Sequence, residues 1–318
     1  MLTIDPAIFD PAAIAEETRS FNQDLASRLS ALPDQWSFPP QVVRERREQG
    51  LGPFPPPLRS ARARTHVIEG RHGPVTLRIV EPKASPTGAF LHIHGGGWTF
   101  GGADMQDERL VELAERTGLI AVSVDYRLAP EHPYPCGPDD CEAAALWLAG
   151  PGRDSLGVSK LAIGGDSAGA NLAAATLIRL RDRHGLRAFQ AAVFIAGCFD
   201  LRLTPSARTW GSEKLVLNTR DIEMFVRHYL AHGHDAALPD VSPLLADLSD
   251  LPSAHFVVGT RDPLLDDTIF MAGRWVAAGN PAEMRLFPGG CHVFQNFGLG
   301  ISLESNILID NFLRVSMQ

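Results

Sequence analysis

Ser167 stands at the centre of Gly165-Asp166-Ser167-Ala168-Gly169, after the apolar run Leu161-Ala162-Ile163 and before a helix-like stretch from Ala170 to Leu177. Glycines two residues to either side allow a sharp strand-to-helix turn, because side chains there would clash. Such a turn lifts the serine oxygen out of the sheet and aims a helix N-terminus at it. A second run, His94-Gly95-Gly96-Gly97-Trp98, follows the strand-like Ala89-Phe90-Leu91-His92-Ile93 and leaves backbone N–H groups uncovered. Donors fixed around a developing oxyanion lower an acyl-transfer barrier by roughly 3–4 kcal/mol each. No G-K-[ST] follows these glycines, and no G-x-G-x-x-G with a downstream acidic ribose ligand completes a nucleotide site. An alcohol nucleophile and oxyanion donors serve the same tetrahedral intermediate, so the two stretches together imply ester or amide hydrolysis.

A serine hydroxyl needs a histidine base and a carboxylate to orient that base. With the serine after a central strand, acid and then histidine come from later loops. Of the histidines beyond the region 200–250, His255 lies inside the strand-like Ala254-His255-Phe256-Val257-Val258-Gly259, which leaves His292. His292 follows the strand-like Glu283–Phe287 and an expected turn, Pro288-Gly289-Gly290-Cys291. Asp262 follows the preceding strand, with Asp266 and Asp267 as competitors better suited to the first turn of the next helix. Cys291 beside His292 is read as core, since neighbours on extended chain point to opposite sides.

The elements that must position these groups alternate. Strand-like runs at Val75–Val80, Ala89–Ile93, Leu119–Val124, Leu161–Ile163, Ala191–Ile195, His255–Val258 and Glu283–Phe287 are separated by helical ones near 104–117, 139–149, 168–184, 266–278 and 301–315. This spacing predicts an α/β fold with a mainly parallel central sheet flanked by helices. An all-β arrangement using His94, Asp125 and Ser167 does not accommodate the helices. Two segments fall outside the alternation: 1–55, with an amphipathic run from Pro11 to Leu32 and the proline-rich Pro53-Phe54-Pro55-Pro56-Pro57, and 200–235.

The chain resembles the bacterial relatives of hormone-sensitive lipase, in the G-D-S-A-G subgroup of the α/β-hydrolases. The resemblance is carried by His94–Trp98, Gly165–Gly169, Asp125-Tyr126-Arg127-Leu128-Ala129-Pro130-Glu131-His132-Pro133-Tyr134-Pro135, Ser242-Pro243-Leu244 and Gly259–Asp267. It implies an α/β-hydrolase fold and a cofactor-independent serine carboxylesterase for short- to medium-chain esters. It also implies Ser167 as nucleophile, Asp262 as orienting acid, His292 as base, and an oxyanion hole from the N–H groups of Gly96, Gly97 and Ala168. The catalytic domain would be 56–199 and 236–318, under a helical cap from 1–55 and 200–235, with Phe38, Trp98, Trp210 and Phe225 as candidate lining residues. An amidase or lactonase would use the same triad. Plant gibberellin receptors, similar in fold, keep the serine turn without the histidine; His292 favours an enzyme here.

The chain has 318 residues, 45% hydrophobic and 21% charged, with a formal net charge of -8, enough for a large core and contrary to a nucleic-acid partner. Arg44-Glu45-Arg46-Arg47 and Arg179-Leu180-Arg181-Asp182-Arg183 read as solvated helix faces, and Arg127 with Glu131 as a local ion pair. Cysteines 136, 141, 198 and 291 suit neither a disulfide framework nor a zinc site. The pair His92 and His94 and the cluster His228, His232 and His234 lack completing ligands in sequence, so no metal is expected. The first residues carry no visible secretory signal and no apolar run approaches the ~20 residues of a membrane helix, so the expected location is the cytoplasm. An edge strand or the helix Ile301 to Val315 offers a surface for a homodimer.

Overall fold

A computed structural model describes residues 2–318. One eight-stranded sheet runs in the order β1-β2-β4-β3-β5-β6-β7-β8, from β1 (Arg64–Gly70), β2 (Gly73–Val80), β3 (Gly88–Ile93), β4 (Leu119–Asp125), β5 (Leu161–Asp166), β6 (Ala191–Ile195), β7 (Ser253–Arg261) and β8 (Ala282–Cys291). β1 and β2 and then β2 and β4 pair antiparallel; every other pairing is parallel. The central strands β3 and β5 are buried along their whole length, as expected where helices cover both faces of a parallel sheet.

The crossover helices are α3 (Asp107–Thr117), α4 (Cys136–Ala149), α6 (Ala168–His184) and α9 (Leu265–Ala277), with a short α5 (Pro151–Leu156) after α4; α10 (Gly300–Ser316) follows the last strand. Leu77, Ile79, Leu91 and Ile93 fill one side of the core, while Phe194 packs its ring 5.0 Å from Phe256 and 5.3 Å from Trp275. The remaining helices lie in the two segments outside the alternation. They are α1 (Glu16–Ala31) and α2 (Pro40–Glu48) in the first, and α7 (Pro205–Thr209) and α8 (Thr219–Tyr229) in the second. The segments touch: Trp36 Nε1 and Gln35 Nε2 donate to Asp221 Oδ1 at 2.6 and 3.0 Å.

Several expectations need correction. The stretch Pro288–Cys291 is the end of β8 and not a turn. Arg127 and Glu131 do not pair: Arg127 binds Asp140, and Glu131 takes both terminal nitrogens of Arg44. Arg179 is no solvated residue; it is 2% exposed and held by Asp139, Glu142 and Asp240. Arg44 likewise turns inward, its Nε donating to Thr99 O at 2.9 Å and its Nη2 to Ala129 O at 3.0 Å.

Candidate active site

The turn between β5 and α6 holds Ser167 at φ 55°, ψ -120°, a conformation L residues rarely adopt and one that costs about 1–3 kcal/mol where surroundings impose it. What imposes it is backbone crowding. A Cβ on Gly165 would lie 2.2 Å from Ile93 O, and one on Gly169 would lie 2.0 Å from the same oxygen. Only hydrogens fit between the turn and the end of β3. Ser167 N donates to Ile195 O at 2.8 Å, which ties the turn to β6.

Asp262 and His292 are brought together by strand register. Arg261 of β7 pairs with Cys291 of β8 after a register shift beyond Gly259, so the next residue on each strand is Asp262 on one and His292 on the other. His292 Nδ1 lies 2.9 Å from Asp262 Oδ2 and 3.1 Å from Oδ1, and His292 Nε2 lies 2.9 Å from Ser167 Oγ. Both partners of the imidazole are within hydrogen-bond reach, as a nucleophile, base and orienter require. Asp262 is 1% exposed and His292 4%; Leu264 N donates to Asp262 Oδ1 at 2.9 Å and fixes the carboxylate. The competitors are engaged elsewhere. Asp266 Oδ2 accepts from Ser206 N at 2.8 Å, and Asp267 Oδ1 accepts from Phe199 N and Asp200 N at 2.7 and 3.0 Å.

Opposite the serine, Gly96 and Gly97 take φ of 108° and 61°. A Cβ on Gly96 would lie 2.2 Å from Phe100 O, and one on Gly97 2.2 Å from the Phe225 ring. The N–H groups of Gly96, Gly97 and Ala168 donate to no backbone carbonyl among the described residues. Ala168 opens α6, where amide hydrogens are free and the helix dipole favours negative charge. His94 braces this loop from below: its ring stacks on Tyr126 at 4.2 Å, its Nδ1 lies 2.8 Å from Gly95 O, and Tyr126 OH donates to His94 O at 3.0 Å. Burial holds the His94 imidazole below its usual range, so it is neutral.

Asp166 is also tied to the loop. Its Oδ1 accepts from Gln106 Nε2 at 2.8 Å, its Oδ2 lies against Gly95, and His92 Nε2 stands 3.9 Å away. Burial pushes this carboxyl up, but His92 and Gln106 outweigh it and leave it below the usual range. Sequence alone singled out Asp166 without its partners; Gln106 carried no signal at all. Burial pushes the Cys291 thiol up to about 12, which leaves no thiolate beside His292.

A cavity of about 640 Å³ adjoins Gly95, Gly96 and Asp166. Phe54, Leu58, Met105, Phe297, Leu299 and Leu303 supply its apolar wall. Neither Ser167 nor His292 lines this cavity, and of the four expected lining aromatics none lies in it, although Phe225 abuts Gly97. Trp98 is buried against Tyr229 at 4.6 Å, Phe225 packs on Trp36 and Phe100, Trp210 lies under Arg261, and Phe38 lies under Arg46. Aromatic type marked these residues but not the direction in which each ring points. Among the described residues, no group of three or more His, Cys, Asp or Glu side chains is disposed to hold a metal ion, and no helix is long and apolar enough to cross a membrane.

This combination of strand order, turn and ordered side chains defines an α/β-hydrolase, and residues 90–296 match the family model for the alpha/beta hydrolase fold. The chain belongs to that family. It is 34% identical over 281 residues to Esterase LipI of Mycobacterium tuberculosis, covering 85% of this chain and 86% of that protein. An esterase of Pyrobaculum calidifontis superposes with a TM-score of 0.84 at 32% identity, covering 93% of this chain and 97% of that one. An esterase from the bacterial hormone-sensitive lipase family superposes with a TM-score of 0.82 at 30% identity, covering 96% and 100%.

Proposed function

We propose that the chain is a serine carboxylesterase that hydrolyses small carboxylic esters of short to medium acyl length through an acyl-enzyme on Ser167. The observation that carries this reading is the hydrogen-bonded line from Ser167 Oγ through His292 to Asp262, with steps of 2.9 and 2.9 Å. Ser167 Oγ attacks the ester carbonyl while His292 Nε2 takes its proton. Asp262 holds the Nδ1–H and stabilises the imidazolium. The carbonyl oxygen becomes an oxyanion that receives the N–H groups of Gly96, Gly97 and Ala168, and the imidazolium returns its proton to the departing alcohol. Water then attacks the acyl-enzyme with His292 as base, and the acid leaves Ser167 regenerated.

In this reading segments 1–55 and 200–235 form a cap that shapes the pocket and excludes water; the bonds from Trp36 and Gln35 to Asp221 support treating them as one layer. The reading also includes a cytoplasmic location, supported by four unpaired cysteines, and a homodimer, supported by Leu303, Ile307 and Val315 lying exposed along α10. The test is hydrolysis of a fluorogenic short-chain ester. Ser167→Ala is expected to lower kcat by about 10³-fold or more, with mass-labelling of wild-type protein at Ser167 by an organophosphonate. Wild-type-like turnover in that variant overturns the assignment.

A further inference from the structure

Arg47, on α2, carries a charge that no carboxylate meets. Its Nη2 donates to Gln35 Oε1 at 3.0 Å, its Nε is buried with no partner, and it forms no ion pair among the described residues. The carboxylate whose field reaches it, Asp221, already accepts from Trp36 and Gln35. The guanidinium carbon lies 4.3 Å from the centre of the Phe100 ring, and Phe100 N donates to Gly96 O at 2.9 Å, which ties this residue to the glycine loop. Burial lowers the Arg47 pKa to about 10, so the group is still cationic at neutral pH.

Arg47 is half-buried, its Nε has no acceptor, and a cation lining a cavity with no carboxylate paired to it is satisfied when an anion occupies that cavity. Arg47 and Pro53 together line both the large cavity beside Gly96 and a smaller one of about 70 Å³ that reaches Val216 and Asp221. The other charged groups of the large cavity leave Arg47 unanswered. Asp166 is bound by Gln106, Arg109 is paired with Asp310, and Glu108 and Glu112 are exposed on α3.

We propose that Arg47 selects esters that also carry a carboxylate, such as half-esters of dicarboxylic acids, by holding the anionic end while the ester carbonyl lies at the glycine loop. The proposal rests on the hydrolase reading above. A guanidinium meets a carboxylate through two parallel N–H bonds, which an ammonium cannot reproduce; Lys at this position would keep the charge and lose the fork.

The experiment compares kcat/KM for 4-nitrophenyl hemiglutarate with that for neutral 4-nitrophenyl butyrate, and for 4-acetoxybenzoate with phenyl acetate, so that the anion is placed on the acyl or the alcohol side. Wild type is expected to favour the anionic member of one pair. That ratio falls at least tenfold in Arg47→Gln, mostly through KM, and by less in Arg47→Lys. Should Arg47→Gln fail to fold, inhibition of the wild type decides: glutarate is expected to compete with the butyrate at least tenfold more tightly than its neutral diamide. Ratios that stay within twofold in every variant, or glutarate no better than the diamide, overturn the proposal while Ser167-dependent hydrolysis of the neutral ester leaves the hydrolase reading standing. Absence of Ser167-dependent hydrolysis of every ester overturns both.

Discussion

A Cβ on Gly259 would lie 1.9 Å from the carbonyl oxygen of Gly290. β7 and β8 therefore touch backbone to backbone just before they end, and the register shift at that contact is what sets Arg261 opposite Cys291. Asp262 and His292 are the next residues out, so their hydrogen bond depends on a glycine three positions away from the acid. Gly259→Ala is expected to push the strands apart. A misplacement of about 1 Å at a catalytic group costs roughly 10² in rate, and overpacking costs about 1–3 kcal/mol. We expect kcat/KM for a short-chain ester to fall about 100-fold together with a lowered Tm. Activity within twofold of wild type would show that the approach of these strands does not position the pair.

The meeting of Ser167, Asp262 and His292 is legible because they sit where the pattern is strongest: Ser167 between two glycines at a strand's end, Asp262 and His292 each directly after a strand. What the sequence concealed was contact between distant residues. Arg127 and Glu131 are four apart, but they sit outside any helix, so nothing forces them together. Their partners are Asp140, and Arg44 at a separation of 87 residues. Arg44 and Arg47 belong to a run of mixed charge that resembles a solvated face, yet α2 turns both inward. β1 carries no signal in the sequence because it is an edge strand in which Ile68 alone is buried, leaving no alternation of apolar and polar residues. Of Phe38, Trp98, Trp210 and Phe225, only Phe225 abuts the glycine loop, at Gly97, since residue type says nothing about which neighbour a ring will meet.

Asp267 gives a pH-dependent prediction. Burial pushes its carboxyl up to about 7, against hydrogen bonds from Thr204, Asp200 and Phe199, whereas in an unfolded chain an aspartate titrates near 3.9. The folded state therefore binds the extra proton between about pH 4 and 7, and stability from this group is present below that window and lost as pH rises through it. Asp267→Asn keeps an oxygen for the two backbone N–H groups and offers an N–H to Thr204, without a charge to bury. Thermal unfolding of both proteins from pH 4 to pH 8 checks this: the Tm of the variant, taken relative to wild type, is expected to climb with pH. A Tm difference that stays constant would mean that Asp267 is already ionised throughout.

Arg44 links the segment 1–55 to the glycine loop and the proline-rich turn. Its guanidinium reaches Thr99 O in the glycine loop, Ala129 O in the proline-rich turn and both oxygens of Glu131. Arg44→Ala leaves two backbone carbonyls and a carboxylate without this donor. Partly buried acceptors left unmet cost about 1–3 kcal/mol, and Glu131, which Arg44 holds below the usual carboxylate range, is expected to return toward that range. Because Thr99 follows Gly96 and Gly97 by only a few residues, the loss falls on the loop as well as on α2. We expect faster amide hydrogen exchange confined to residues 40–48 and 96–101, with kcat reduced more than KM is raised, since a loosened donor loop weakens the transition state more than the ground state. If exchange in the glycine loop is unaltered while α2 alone loosens, α2 covers the site without bracing it.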